Sequence, residues 1–125
     1  MSRMKREIVG SMAGLTESAG ALSARFVFAE DFIGFQGHFP QKKILPGVCQ
    51  VQCVLSMIER HSRKPVLLRE IVLAKFFAPV SPGDEVSCLC LDVKDGAGDF
   101  VVKAALNRGD QKISELKLRI SYAGG

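Results

Sequence analysis

From Leu22 to Ala29 apolar and polar residues alternate, which places Leu22, Ala24, Phe26 and Phe28 on one face of an extended strand. Ahead of it, Glu7 to Met12 reads as a further strand and Thr16 to Gly20 as a turn. Asp31 to Lys43 follows no period: Gly34, Gly37 and Pro40 interrupt it, and Phe32, Phe35 and Phe39 stand between them. Three phenylalanines in one loop predict that it lines a cavity or an interface. Pro46 then suits the first turn of a helix. The stretch Val48 to Arg60 is apolar around most of a helical circumference, which predicts a helix buried on several sides. Its polar residues Gln52, Ser56 and Glu59 fall on one line at i, i+4, i+7 spacing. Beyond Pro65 the pattern is that of strands: Val66 to Phe77, Glu85 to Val93, Phe100 to Leu106 and Ile113 to Tyr122, separated by turns at Ser81-Pro82-Gly83-Asp84, Asp95 to Asp99 and Asn107 to Asp110. One buried helix with five or six antiparallel strands predicts an α+β domain whose sheet wraps around the helix.

A length of 125 residues, 47% of them hydrophobic and 24% charged, fits one globular domain over 1–125, with no internal repeat and no linker. No window carries the roughly 18 consecutive apolar residues of a membrane-spanning helix. The basic start through Arg6 leads into Glu7 and a glycine-broken stretch, not into the apolar run of a secretion signal, and the expected location is the cytosol. A net charge of +4 comes from scattered residues; Trp is absent and Tyr122 stands alone, so nucleic acid is not an expected partner. Cys49 and Cys53 are spaced i, i+4 on the helix, and Cys88 and Cys90 share a strand face. Without a Cys-x-x-Cys or paired histidine ligands, they read as small buried thiols and not as a metal site. His61 suits the negative end of the helix.

Gly37-His38-Phe39-Pro40 followed by Ile44-Leu45-Pro46-Gly47-Val48 resembles the signature of the 3-hydroxyacyl-(acyl-carrier-protein) dehydratases of the FabZ/FabA type. Ala74 to Asp84 is similar to the strand and turn that follow the central helix in that family, and the resemblance spans about residues 20–122. It implies the hot-dog fold, at least a homodimer, an acyl-carrier-protein or acyl-coenzyme A thioester as partner, and no cofactor. It also implies that His38 is the base, that the Gly47 N–H faces the thioester oxygen, and that Phe35, Phe39, Pro46, Val48 and Cys49 bind substrate. The chemistry suits these types: imidazole titrates near neutral pH, and N–H groups at a helix N-terminus stabilise an enolate-like oxygen. Outside such a motif, a loop histidine is more simply satisfied by backbone groups.

The chain departs from that family at three places. Fourteen residues after the histidine the family carries a Glu or Asp, supplied in the dimer by the other subunit; this chain has Gln52, which does not titrate. Gln41-Lys42-Lys43 replaces the family's Gly and Pro; the two lysines change the tunnel mouth or meet an acidic carrier protein, or, more simply, form a solvated loop. The family's leading helix-and-strand segment is expected to be largely missing. Three functions follow. The first is dehydration of a (3R)-3-hydroxyacyl thioester to the trans-2-enoyl thioester, in fatty acid or related lipid or polyene synthesis, with Gln52 as a positioning residue. The second is acyl-thioester hydrolysis, although no suitable carboxylate lies near the helix start. The third is a non-catalytic acyl-carrier-binding subunit, for which Gln52 is the best argument.

Overall fold

The computed structural model describes residues 2–36 and 42–124. Its elements are, in order, helix α1 (Arg3–Gly10), strands β1 (Met12–Ser18) and β2 (Ala21–Val27), one 3-10 turn (Ile33–Phe35), helix α2 (Gly47–Ser62), and strands β3 (Val66–Phe76), β4 (Glu85–Leu91), β5 (Phe100–Arg108) and β6 (Gln111–Tyr122). The strands form one antiparallel sheet in the order β1-β2-β4-β5-β6-β3, so β1 and β3 are its edges. This is the α+β hot-dog architecture.

The alternation read between Leu22 and Phe28 is realised: all four apolar residues of that face are buried. Val86, Cys88 and Cys90 of β4, Val102 and Leu106 of β5, and Leu116, Leu118 and Ile120 of β6 continue the same inner face. Against it lies α2, of whose 16 residues nine are buried, on nearly every side of the helix. That distribution requires neighbours all round, and α1 supplies the side the sheet leaves open.

The N-terminal segment corrects the sequence reading. Glu7 to Val9 belong to a helix, not a strand, and the segment expected to be missing is present as α1 and β1. Local chemistry explains the helix. The Ser2 hydroxyl accepts from the Lys5 N–H at 3.1 Å as an N-cap, and Arg3 pairs with Glu7 at i, i+4. Burial of Ile8 then adds the tertiary contribution that so short a helix needs. Ala19 and Gly20, both at positive φ, close the β1–β2 hairpin in two residues, which matches the twist of the paired strands.

Strand β3 differs from the others. Leu67, Leu68, Ile71, Val72 and Phe76 are all exposed, as is Phe77 just beyond, although the strand is apolar and bonded to β6 along its length. Its other edge has no partner in the single chain.

Candidate active site

The chain enters α2 through Leu45-Pro46-Gly47. The Leu45 N–H donates to the Val80 carbonyl at 2.9 Å, which ties this entry to the turn after β3. Pro46 is the N-cap; it has neither a side-chain acceptor nor an N–H, and the first turn holds no acidic residue. Cys49 and Gln50 donate to the Pro46 carbonyl, at 3.0 and 3.3 Å. The N–H groups of Gly47 and Val48 belong to the set that no helix can satisfy internally, so the positive end of α2 is presented without a built-in counter-charge.

A groove of about 410 Å³ opens on this helix end, lined by Ile44, Leu45, Pro46, Gly47, Gln50 and the segment Phe76 to Pro79. Among the described residues its lining side chains are apolar except for the Gln50 amide. Phe76 stands so close over Gly47 that a Cβ there would lie 2.7 Å from the ring. Gln50 is 3% exposed, and its Oε1 has no hydrogen-bond partner among the described residues. The far wall is held by Arg108, which donates to the Pro79 carbonyl at 2.9 Å and to Asp84 at 2.7 Å, while Asp84 accepts from the Ser81 N–H. A larger depression of about 520 Å³ lies between β1 and the other end of α2, beside Arg60, His61 and Arg63. It joins the polar side chains of Thr16, Glu17, Arg60, His61 and Arg63 to the negative end of the helix, so its lining is much more polar than that of the smaller groove.

The loop before the groove is anchored by aromatic packing and by α1. Phe28 meets Phe32 at a tilt and Phe32 meets Phe35 edge to face, with ring centroids 4.8 and 5.4 Å apart. The Ile33 N–H donates to Glu7 at 3.0 Å. That bond, reinforced by Arg3, holds the Glu7 carboxyl below the usual carboxylate range.

Comparison with known proteins agrees with this geometry. The family model described as ApeI-like, ApeI dehydratase, matches residues 15–116. The chain belongs to the ApeI-like dehydratase family. Among curated relatives, the 3-hydroxyacyl-[acyl-carrier-protein] dehydratase FabZ of Wolinella succinogenes is 29% identical over 102 residues, covering 71% of this chain and 68% of that protein. FabZ of Clostridium beijerinckii is 38% identical over 68 residues, 48% of this chain and 47% of that protein; with several such relatives the match spans about half their length. Among solved structures, the dehydratase heterocomplex ApeI:P from Xenorhabdus doucetiae superposes with a TM-score of 0.75 at 20% identity, over 88% of this chain and 96% of that one.

Within this ApeI-like chain the expected site residues lie in different places. Pro46 and Gly47 line the groove. Phe35 is buried in the phenylalanine cluster, Val48 is 67% exposed beside the helix start, and Cys49 faces inward, its Sγ 3.8 Å from the Met4 sulfur; none of the three lines the groove. Gln52 lies on the polar line read from the sequence and donates to the Ser56 hydroxyl at 2.9 Å. It is not part of the groove lining within one chain. His38 and Phe39 lie outside the described residues, as does Gln41. Lys43 is engaged with Glu30, donating to its carbonyl at 3.1 Å, and Lys42 is exposed.

Glu59, at the far end of the same polar line, is structural: it accepts from the Val66 N–H at 2.8 Å and pairs with Lys5. All four cysteines are buried free thiols. Burial pushes Cys49 up to about 11 and Cys90 to about 12, and raises Cys53 and Cys88 as well, so none is a nucleophile at neutral pH. Among the described residues no group of three acidic, histidine or cysteine side chains is placed to hold a metal, and no helix is long and apolar enough to cross a membrane.

The sequence reading missed Gln50, Phe76 and Phe77 as site residues. A signal for Gln50 existed: it is the one polar residue of the helix interior that falls off the Gln52–Ser56–Glu59 line. No local pattern marked the two phenylalanines, because only the sheet order brings the end of β3 over the start of α2.

Proposed function

We propose that this protein dehydrates a 3-hydroxyacyl thioester to the trans-2-enoyl thioester. The observation that carries the reading is the uncapped N-terminus of α2 opening into an apolar groove, directly after the His-Phe-Pro and Leu-Pro-Gly segments. The acyl chain lies along Ile44, Leu45, Phe76 and Phe77, and the thioester oxygen points at the Gly47 N–H. His38 takes the C2 proton; the electron pair moves onto the thioester oxygen, where the helix end stabilises it. The pair then returns to form the C2–C3 double bond as the C3–O bond breaks. The proton held by His38 passes to the departing hydroxyl, which leaves as water. Gln52 keeps hydrogen-bonding capacity but no titratable proton, so this one-base route asks more of His38 than a pair of groups would. Fatty acid or related lipid synthesis is the setting this product suits, with an acyl-carrier protein or coenzyme A as the carrier.

A homodimer formed through the open edge of β3 completes the assembly. Pairing there covers the apolar residues that the single chain leaves exposed and satisfies the unpaired edge.

One observation favours a second reading. Gln52 is bonded to Ser56, and no carboxylate lines the groove among the described residues, which suits a subunit that binds acyl carriers and leaves the chemistry to a partner. The same lack of a carboxylate weighs against thioester hydrolysis. Enoyl-thioester absorbance followed in both directions for wild type, His38→Ala and Gln52→Glu decides between the readings. Activity in wild type that disappears in His38→Ala supports the dehydratase. Silence in wild type with activity in Gln52→Glu means a binding protein with an otherwise intact pocket. Release of free thiol would mean hydrolysis instead.

A further inference from the structure

The reaction above leaves the buried amide oxygen of Gln50 unused. It is a strong acceptor, 3% exposed as a residue and, among the described residues, without a partner and on the only polar side chain that lines the groove. An acceptor left unpaired in such surroundings costs stability, so it fits a place where a ligand completes it. Its position on α2 narrows the ligand. Gln50 follows Gly47 by three residues, about 4.5 Å of helix rise and nearly one full turn. Helical side chains lean toward the N-terminus, over the preceding turn, which carries this amide toward the Gly47 end of the groove. A donor N–H and a buried acceptor oxygen thus share one helix face within one turn.

We propose that Gln50 is the residue that recognises the substrate's 3-hydroxyl group, accepting its hydrogen bond while the thioester oxygen sits at the Gly47 N–H. This rests on the functional reading above and deepens it, by assigning the selection of 3-hydroxyacyl over unsubstituted acyl chains to one side chain. The two oxygens of a 3-hydroxyacyl thioester are 1,3-related, one an acceptor and one a donor, and they match the two protein groups in kind and in order. A saturated acyl chain fills the same apolar groove but leaves Oε1 unpaired. The discrimination therefore comes from a polar group made unsatisfied by the wrong ligand, which is more selective than apolar fit.

The test is binding by calorimetry of two unreactive ligands, (3R)-3-hydroxydecanoyl and decanoyl pantetheine analogues with an amide in place of the thioester. The proteins compared are wild type and Gln50→Met, which matches the side chain in shape but offers no comparable acceptor. Wild type is expected to bind the hydroxy ligand about ten-fold or more tightly than the plain one. Gln50→Met is expected to bind both alike, chiefly through weaker binding of the hydroxy ligand. Equal binding by wild type, as when a buried water already fills the acceptor, overturns this inference and leaves the dehydratase reading in place. So does a preference that survives in folded Gln50→Met. Should that variant fail to fold, the wild-type ratio decides alone. Binding of neither ligand overturns the functional reading and this inference with it.

Discussion

Phe76, at the end of the edge strand β3, covers Gly47, the first residue of α2, so closely that even a methyl group at Gly47 would lie 2.7 Å from the ring. What a side chain at Gly47 would disturb is this ring and not the backbone angle, since Gly47 is absent from the positive-φ residues. Stability and function therefore separate at this position. Gly47→Ala gains helix propensity and meets only the tip of a half-exposed ring, so the melting temperature should hold or rise. The displaced ring narrows the groove at the helix N–H, and kcat/KM for enoyl-thioester hydration should fall about 10–100-fold. In the double variant with Phe76→Ala, the alanine at position 47 should cost much less; full additivity of the two losses would show that the ring is not the cause.

The exposed apolar edge predicts the assembly. Ile71 and Val72 are 49% and 44% exposed and neighbours in β3, at the irregularity where its register with β6 shifts. Replacing both by lysine should leave the chain folded by circular dichroism and halve its mass in light scattering. An unchanged mass would place the interface elsewhere.

Gly34 governs the loop that leads to His38. A Cβ there would sit 2.4 Å from the Phe32 ring and 2.8 Å from the Cys49 Sγ, inside the buried cluster. Neither neighbour has room to yield, unlike the exposed Phe76. Gly34→Ala should cost about 1–3 kcal/mol in chemical denaturation, as overpacking does. A loss below about 0.5 kcal/mol would mean that the cluster relaxes freely.

The thiols predict an alkaline limit to stability. Their ordinary value is 9.0, and burial holds Cys49 near 11 and Cys90 near 12 in the folded chain. Between these values the unfolded chain releases protons that the folded chain keeps, so the unfolded state binds fewer protons and stability falls as pH rises. Each thiol contributes at most about 1.4 kcal/mol per pH unit. Denaturation midpoints should be flat near neutrality and drop from about pH 9, with Cys88→Ala reducing the slope. The same burial predicts slow reaction with a soluble disulfide reagent in the native state; rapid labelling of all four would contradict it.

Much of this protein was legible in its sequence because its determinants are local. Alternation from Leu22 to Phe28 and the nearly all-round apolar helix after Pro46 each follow from burial acting on a fixed backbone period. The Gly37 to Pro40 and Leu45 to Val48 segments carried the family in a short span. The first helix is not legible from Glu7 to Met12 alone, because the capping by Ser2 and the pairing of Arg3 decide the backbone there. What the tertiary structure alone decided are the relations between distant segments. The order β1-β2-β4-β5-β6-β3 puts Phe76 over Gly47 and leaves an apolar edge open. The packing of α1 turns Cys49 toward Met4 and the Gln52 line away from the groove, while Gln50, two residues earlier and so on the opposite side of the helix, faces into it. Composition names the polar groups a helix carries, but only the surfaces packed around it determine which of them meets solvent, which meets a neighbour, and which is left for a ligand.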